Sequence, residues 1–89
     1  MAAQLVVDSF LNGESRKRGK FRSNGNSLFL YDREVVRRTP DNRLEIKIHG
    51  NASITVKRFL SRIPNVTVCH RRFELLLNNA PWDGEWTVV

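Results

Sequence analysis

Apolar positions recur along this chain with two different periods, and each period predicts its own kind of element. Near the start, Val6 with Phe10 and Val7 with Leu11 fall one helical turn apart, and Gly13 stands where a helix takes its C′ residue. A short helix over 4–12 is expected. From Ser27 the pattern changes to that of strands. Leu28-Phe29-Leu30-Tyr31, the pair Asp32-Arg33, and Glu34-Val35-Val36-Arg37-Arg38 read as two strands closed by a tight turn at 32–33. Thr39-Pro40-Asp41-Asn42 suits a type I turn, because proline presets φ at the second position. Leu44, Ile46 and Ile48 then alternate with Glu45, Lys47 and His49, which puts the aliphatic side chains on one buried face. A three-stranded antiparallel meander is the expectation.

Helical spacing returns after residue 50. Ser53 fits an N-cap, Val56, Phe59, Leu60 and Ile63 form one apolar stripe, and Pro64 ends the helix by disfavouring helical geometry in the residue before it. Lys57, Arg58, Ser61 and Arg62 make up the other face, expected to look into solvent while the stripe packs on Leu44, Ile46 and Ile48. Val66 to His70 and Phe73 to Leu77 read as two more strands. Asn78-Asn79 then serves as a turn, because asparagine tolerates positive φ. Pro81 and Asp83-Gly84 punctuate the last segment, Trp82 to Val88. The fold class expected is α+β: a small single domain over 1–89 with a largely antiparallel sheet of about five strands, packed by an amphipathic helix and preceded by a short N-terminal helix. Glu14 to Asn26 contains Gly19, Gly25 and the Asn24/Asn26 pair, and is expected as a basic loop or arm leading into the sheet.

Composition narrows the function classes. Hydrophobic residues at 40% and charged residues at 27% belong to a folded chain rather than a disordered one. No apolar run approaches the roughly 20 residues of a membrane span, so no membrane partner is expected. Met1 is not followed by a basic start, and Asp8 interrupts the first apolar stretch, so a protein of the reducing cytoplasm, without a secretory signal, is expected. Charge is the unusual quantity: 15 Lys and Arg against nine Asp and Glu give +6. The excess sits in two clusters, Arg16, Lys17, Arg18, Lys20 and Arg22 in the arm, and Lys57, Arg58, Arg62, Arg71 and Arg72 further on, while the last residues, with Glu74, Asp83 and Glu85, are acidic.

Several segments resemble a group of small phage-encoded proteins of unknown function. These are Phe10-Leu11-Asn12-Gly13, the run Arg16-Lys17-Arg18-Gly19, Asn24-Gly25-Asn26-Ser27-Leu28-Phe29-Leu30-Tyr31, and Val35-Val36 before a polar turn. Ser53-Ile54-Thr55 looks like that group's helix start, and Leu77-Asn78-Asn79 with Trp82-Asp83-Gly84 like its closing segments. The chain departs from the pattern at Asp32 and Asn79, where glycine would be expected. The resemblance implies a phage or prophage source and a bacterial host cell. It carries no activity to transfer.

Catalytic and metal chemistry find little footing. Cys69-His70 with His49 falls short of a structural zinc set, and neighbours on a strand point to opposite faces, so a buried structural Cys69 is the expectation. Cys69 with a histidine lacks an orienting third group, and Asp32/Glu34 and Asp83/Glu85 lie beside turns where carboxylates are ordinarily solvated. No catalytic residue, metal ligand or cofactor is therefore assigned. Nucleic-acid binding, to DNA or RNA, uses more of what is present. Arg16, Lys17, Arg18, Lys20 and Arg22, with Lys57, Arg58 and Arg62, supply phosphate contacts, and Phe21 supplies a ring to stack on a base. Two other readings remain open. One is an inhibitor of a host protein, such as a defence factor, using Tyr31, Trp82 and Trp86 at a sheet edge; the other is a binder of small anionic nucleotides at a basic oligomer interface.

Overall fold

The helical spacing near the N-terminus becomes α1 (Ala2–Leu11), whose Val6, Val7 and Phe10 are fully buried. It ends in a Schellman motif: Glu14 N–H donates to Ser9 O (2.7 Å) and Gly13 N–H to Phe10 O (2.9 Å), with Gly13 at φ 74. This computed structural model describes residues 2–49 and 54–89, so Ser53 and its expected cap lie outside the described residues.

The segment expected as a basic loop or arm is instead a hairpin, β1 (Ser15–Arg18) with β2 (Phe21–Asn24). Its glycines mark the turns between short strands: Gly19 lies between β1 and β2, and Gly25 between β2 and the next strand. A Cβ on Gly25 would sit 2.8 Å from Gly13 O, so only glycine lets this turn close on the end of α1. The expected meander follows as β3 (Ser27–Leu30), β4 (Arg33–Arg38) and β5 (Leu44–Ile46). The turn between β3 and β4 falls at Tyr31-Asp32, one residue earlier than expected, with φ 52 and 63. A bulge between Leu28 and Phe29 slips the pairing, and Val35 and Val36 are both buried as a result. The Thr39–Asn42 turn closes as expected, with Asn42 N–H on Thr39 O at 2.9 Å.

α2 (Ile54–Leu60) covers only the first part of the second helical pattern. Its last turn tightens ahead of Pro64, Arg62 N–H donating to Phe59 O and Ile63 N–H to Leu60 O, and Ile63 is buried just past the helix. β6 (Val68–Arg71), β7 (Glu74–Leu77) and β8 (Ala80–Pro81) form a three-stranded sheet, and Asn78-Asn79 makes the β7–β8 turn at φ 51 and 68. β9 (Thr87–Val88) returns to pair with β5, completing a six-stranded antiparallel sheet in the order β1-β2-β3-β4-β5-β9. The fold is thus a small α+β domain, as expected; the described residues form two helices and more strands than expected, in two sheets.

One core joins these parts. Val6, Val7 and Phe10 of α1, Leu28, Leu30, Val36 and Ile46 of the large sheet, Phe59 and Leu60 of α2, and Val68 and Leu77 of the small sheet belong to a single buried cluster. Ile48, also expected there, is buried, and Leu44 and Val56 are half-buried against it. Among the described residues, no helix is long and apolar enough to cross a membrane.

Candidate nucleic-acid interface

Strand register decides where the first basic cluster goes. Arg16 pairs with Ser23, Ser23 with Leu28, Leu28 with Val36 and Val36 with Ile46, so Arg16 shares the core-side face of the sheet. Arg18 is on that face too, opposite Phe21. Lys17 and Arg22, opposite each other, lie on the outer face with Phe29 and Glu34. The cluster that reads as continuous in sequence is therefore divided between two faces, because successive side chains on a strand alternate.

Most of the outer-face cations are already engaged. Arg22 stacks over Phe29 (4.0 Å to the ring centroid) and approaches Asp32 at 3.8 Å. Arg37 donates to Glu45 at 2.9 Å and lies 3.9 Å over the Trp86 ring, and Lys47 pairs with Glu85 at 3.0 Å. On the core side, Arg16 is tied to α1 through Ser9 Oγ (2.7 Å), and Arg38 caps that helix by donating to Phe10 O (3.0 Å).

A different set converges beside α2. Lys20, from the β1–β2 turn, meets Arg58 and Arg62 of the helix segment around a groove of about 360 Å³, lined also by Ala3, Phe21, Thr55 and Phe59. Phe21 and Phe59 form its apolar floor, their centroids 4.8 Å apart. Phe21 therefore packs against Phe59 from a strand, whereas the sequence pattern predicts a base-stacking ring in a basic arm. The Lys20 ammonium sits 5.5 Å from the Phe21 centroid and 5.7 Å from that of Tyr31. Arg58 is exposed; Lys57 and Arg62 are half-buried, and Arg62 donates to Gln4 Oε1 at 3.1 Å, so the helix face is less open than the sequence suggests.

Arg58 also lines a second groove on the far side of α2, with Ile54, Lys57, Ser61, Val68, Cys69 and His70. There the Lys57 ammonium lies 3.0 Å from His70 Nδ1, and Ser61 Oγ accepts Val68 N–H at 3.0 Å, fastening β6 to the helix. Among the described residues, no carboxylate lines either groove. Among the described residues, none forms an ion pair with Lys20, Lys57, Arg58 or Arg62.

Several of the remaining candidates are engaged within the fold. Cys69 is half-buried, not buried, and is a free thiol. His49 Nε2 donates to Glu34 O at 2.6 Å, and Glu34 itself accepts from Ser27 Oγ. Asp83 Oδ1 accepts Glu85 N–H at 3.0 Å in a turn. The two tryptophans are half-buried rather than displayed at an edge: Trp82 Nε1 donates to Thr87 Oγ1 (2.8 Å) and Glu85 O (3.0 Å), and Trp86 lies under Arg37. Tyr31 remains exposed. Among the described residues, no three or more His, Cys, Asp or Glu side chains are grouped to hold a metal ion. Phe73, which the apolar pattern assigns to a strand, stands at the β6–β7 turn, fully exposed. No family model, curated protein or solved structure matches this chain.

Proposed function

We propose that this protein is a non-enzymatic nucleic-acid-binding protein whose phosphate-contacting surface is the pair of grooves flanking α2, with Lys20, Lys57, Arg58 and Arg62 as the central contacts. The observation that carries this reading is the meeting of Lys20 with Arg58 and Arg62 around one carboxylate-free groove. Guanidinium and ammonium groups without an acidic partner keep their charge available to phosphate oxygens, whereas a paired cation must first give up its carboxylate. Arg18, on the Phe21 face, extends the surface. Lys17 and Arg22, on the opposite face, do not belong to it, and Arg16 lines neither groove. A phage accessory role belongs to the same proposal and rests on the sequence resemblance alone. The engagement of Trp82 and Trp86 within the fold favours nucleic acid over the edge-mounted inhibitor reading.

Fluorescence anisotropy with labelled DNA and RNA strands across a salt series tests this. Four phosphate contacts lead to a log–log salt slope of about −3 for a single strand. Absence of binding at low salt to either nucleic acid rejects the proposal, and tight binding of a mononucleotide with no gain from a longer strand replaces it with the small-nucleotide reading.

A further inference from the structure

We infer that the tip of the β6–β7 hairpin is a base-stacking finger that makes the protein prefer unpaired to paired nucleic acid; the inference rests on the nucleic-acid reading above. Phe73 has a relative exposure of 106%, the highest among the exposed large hydrophobic residues. It occupies the second position of a hairpin turn whose central residues, Arg72 and Phe73, both have positive φ, 52 and 68. A turn of this shape favours asparagine and glycine, and the neighbouring hairpin meets the demand with Asn78 and Asn79. Phenylalanine in the left-handed region is strained, and a ring held entirely in water recovers nothing by burial. Neither turn chemistry nor packing accounts for Phe73, whereas a contact made with a ligand does.

The surroundings specify that ligand. Arg71 and Arg72 precede Phe73 in the chain and are exposed; Glu74, opposite Arg71 in the ladder, shares their groove, although among the described residues neither arginine forms an ion pair. His70, next along β6, lies against Lys57 in the groove that shares Arg58 with the Phe21–Phe59 groove. Lys20, Lys57 and Arg58 line the grooves beside α2, and Arg71 and Arg72 form a separate cationic pair at the hairpin tip, Arg71 on the face of β6 opposite to His70. Phe73 borders a groove with Glu74, Trp82 and Asp83, and Arg71 and Arg72 line the adjoining one; a splayed base stacked on the ring would direct its neighbouring phosphates toward those arginines and away from the two carboxylates. In a duplex both faces of each base are already stacked, which leaves the ring nothing to cover.

Anisotropy titrations of the whole protein against a labelled oligothymidine, an abasic strand of equal length and a duplex read this directly. Wild type is expected to bind the thymidine strand roughly 5- to 150-fold more tightly than the abasic strand, the span of one aromatic–base stack. Phe73→Ala and Phe73→Gly should lose that preference while keeping abasic-strand affinity, and Phe73→Trp should keep it. Phe73→Gly should melt at or above the wild-type temperature, since glycine relieves the positive φ, so its loss of preference cannot be ascribed to unfolding. Equal wild-type affinity for thymidine and abasic strands overturns the finger and leaves the groove reading standing. So does a Phe73→Ala protein that retains the base preference, since the base contact then lies elsewhere. No binding to any strand overturns both.

Discussion

Arg22, Arg37 and Lys47 on the outer face of the six-stranded sheet each have a carboxylate within reach, and two of them also cover an aromatic ring. Lys20, Lys57, Arg58 and Arg62 around α2 have no such carboxylate among the described residues, although they come from the same basic chain. The contrast shows that a net charge of +6 does not by itself define a surface. Exposed ion pairs contribute only about 0–1 kcal/mol each to stability, so the outer-face pairs matter chiefly by committing those cations locally. The α2 side holds its cations around an apolar floor, where a polyanion can displace their counterions without competing against a built-in acid.

The largest expected effect comes from the floor itself. Phe59 is 1% exposed and packs on Phe21, so Phe59→Ala should destabilise by about 3–5 kcal/mol in urea unfolding. A loss below about 1 kcal/mol would mean that the floor is not part of the core, and the comparison between a packed groove and a paired sheet face would break. Smaller changes sharpen the comparison. Arg37→Ala removes the contacts to Glu45 and Trp86 and should cost about 1 kcal/mol with nucleic-acid affinity unchanged. Arg58→Ala should do the reverse, shifting stability by less than about 0.5 kcal/mol while weakening binding. Parallel denaturation and anisotropy measurements on these two variants would undo the distinction if both lost stability and affinity together.

Much of this architecture was legible because burial imposes a period. The Val6/Phe10 spacing, the Leu44-Ile46-Ile48 alternation and the Val56-Phe59-Leu60-Ile63 stripe each led to elements that are present. The β1–β2 hairpin was missed for the corresponding reason: Ser15 to Arg18 is an edge strand exposed at every position, so no apolar alternation marks it. Its glycines do mark turns, but the strands between those turns carry charge. Phe21 followed from that error, since a ring inside a supposed arm invites stacking on a ligand, whereas in β2 it faces the core and meets Phe59. The split of the arm cations between two faces, and the meeting of Lys20 with Arg58 and Arg62, depend on register and on long-range packing. Neither is written in local sequence. Phe73 was hidden by the apolar run that follows it, because Leu75 to Leu77 drew it into the strand; only the backbone reveals a turn there.

The decisive measurement is anisotropy with one single-stranded oligonucleotide at fixed low salt, comparing two double charge reversals of equal size. Lys20→Glu with Arg58→Glu removes charge from the α2 grooves, and Lys17→Glu with Arg43→Glu removes as much from exposed positions away from them. Specific phosphate contacts should make the first variant bind at least about tenfold more weakly than wild type and reduce its salt slope, while the second stays within a few-fold. Equal losses in the two variants would contradict the account, because binding would then follow total charge and owe nothing to the grooves.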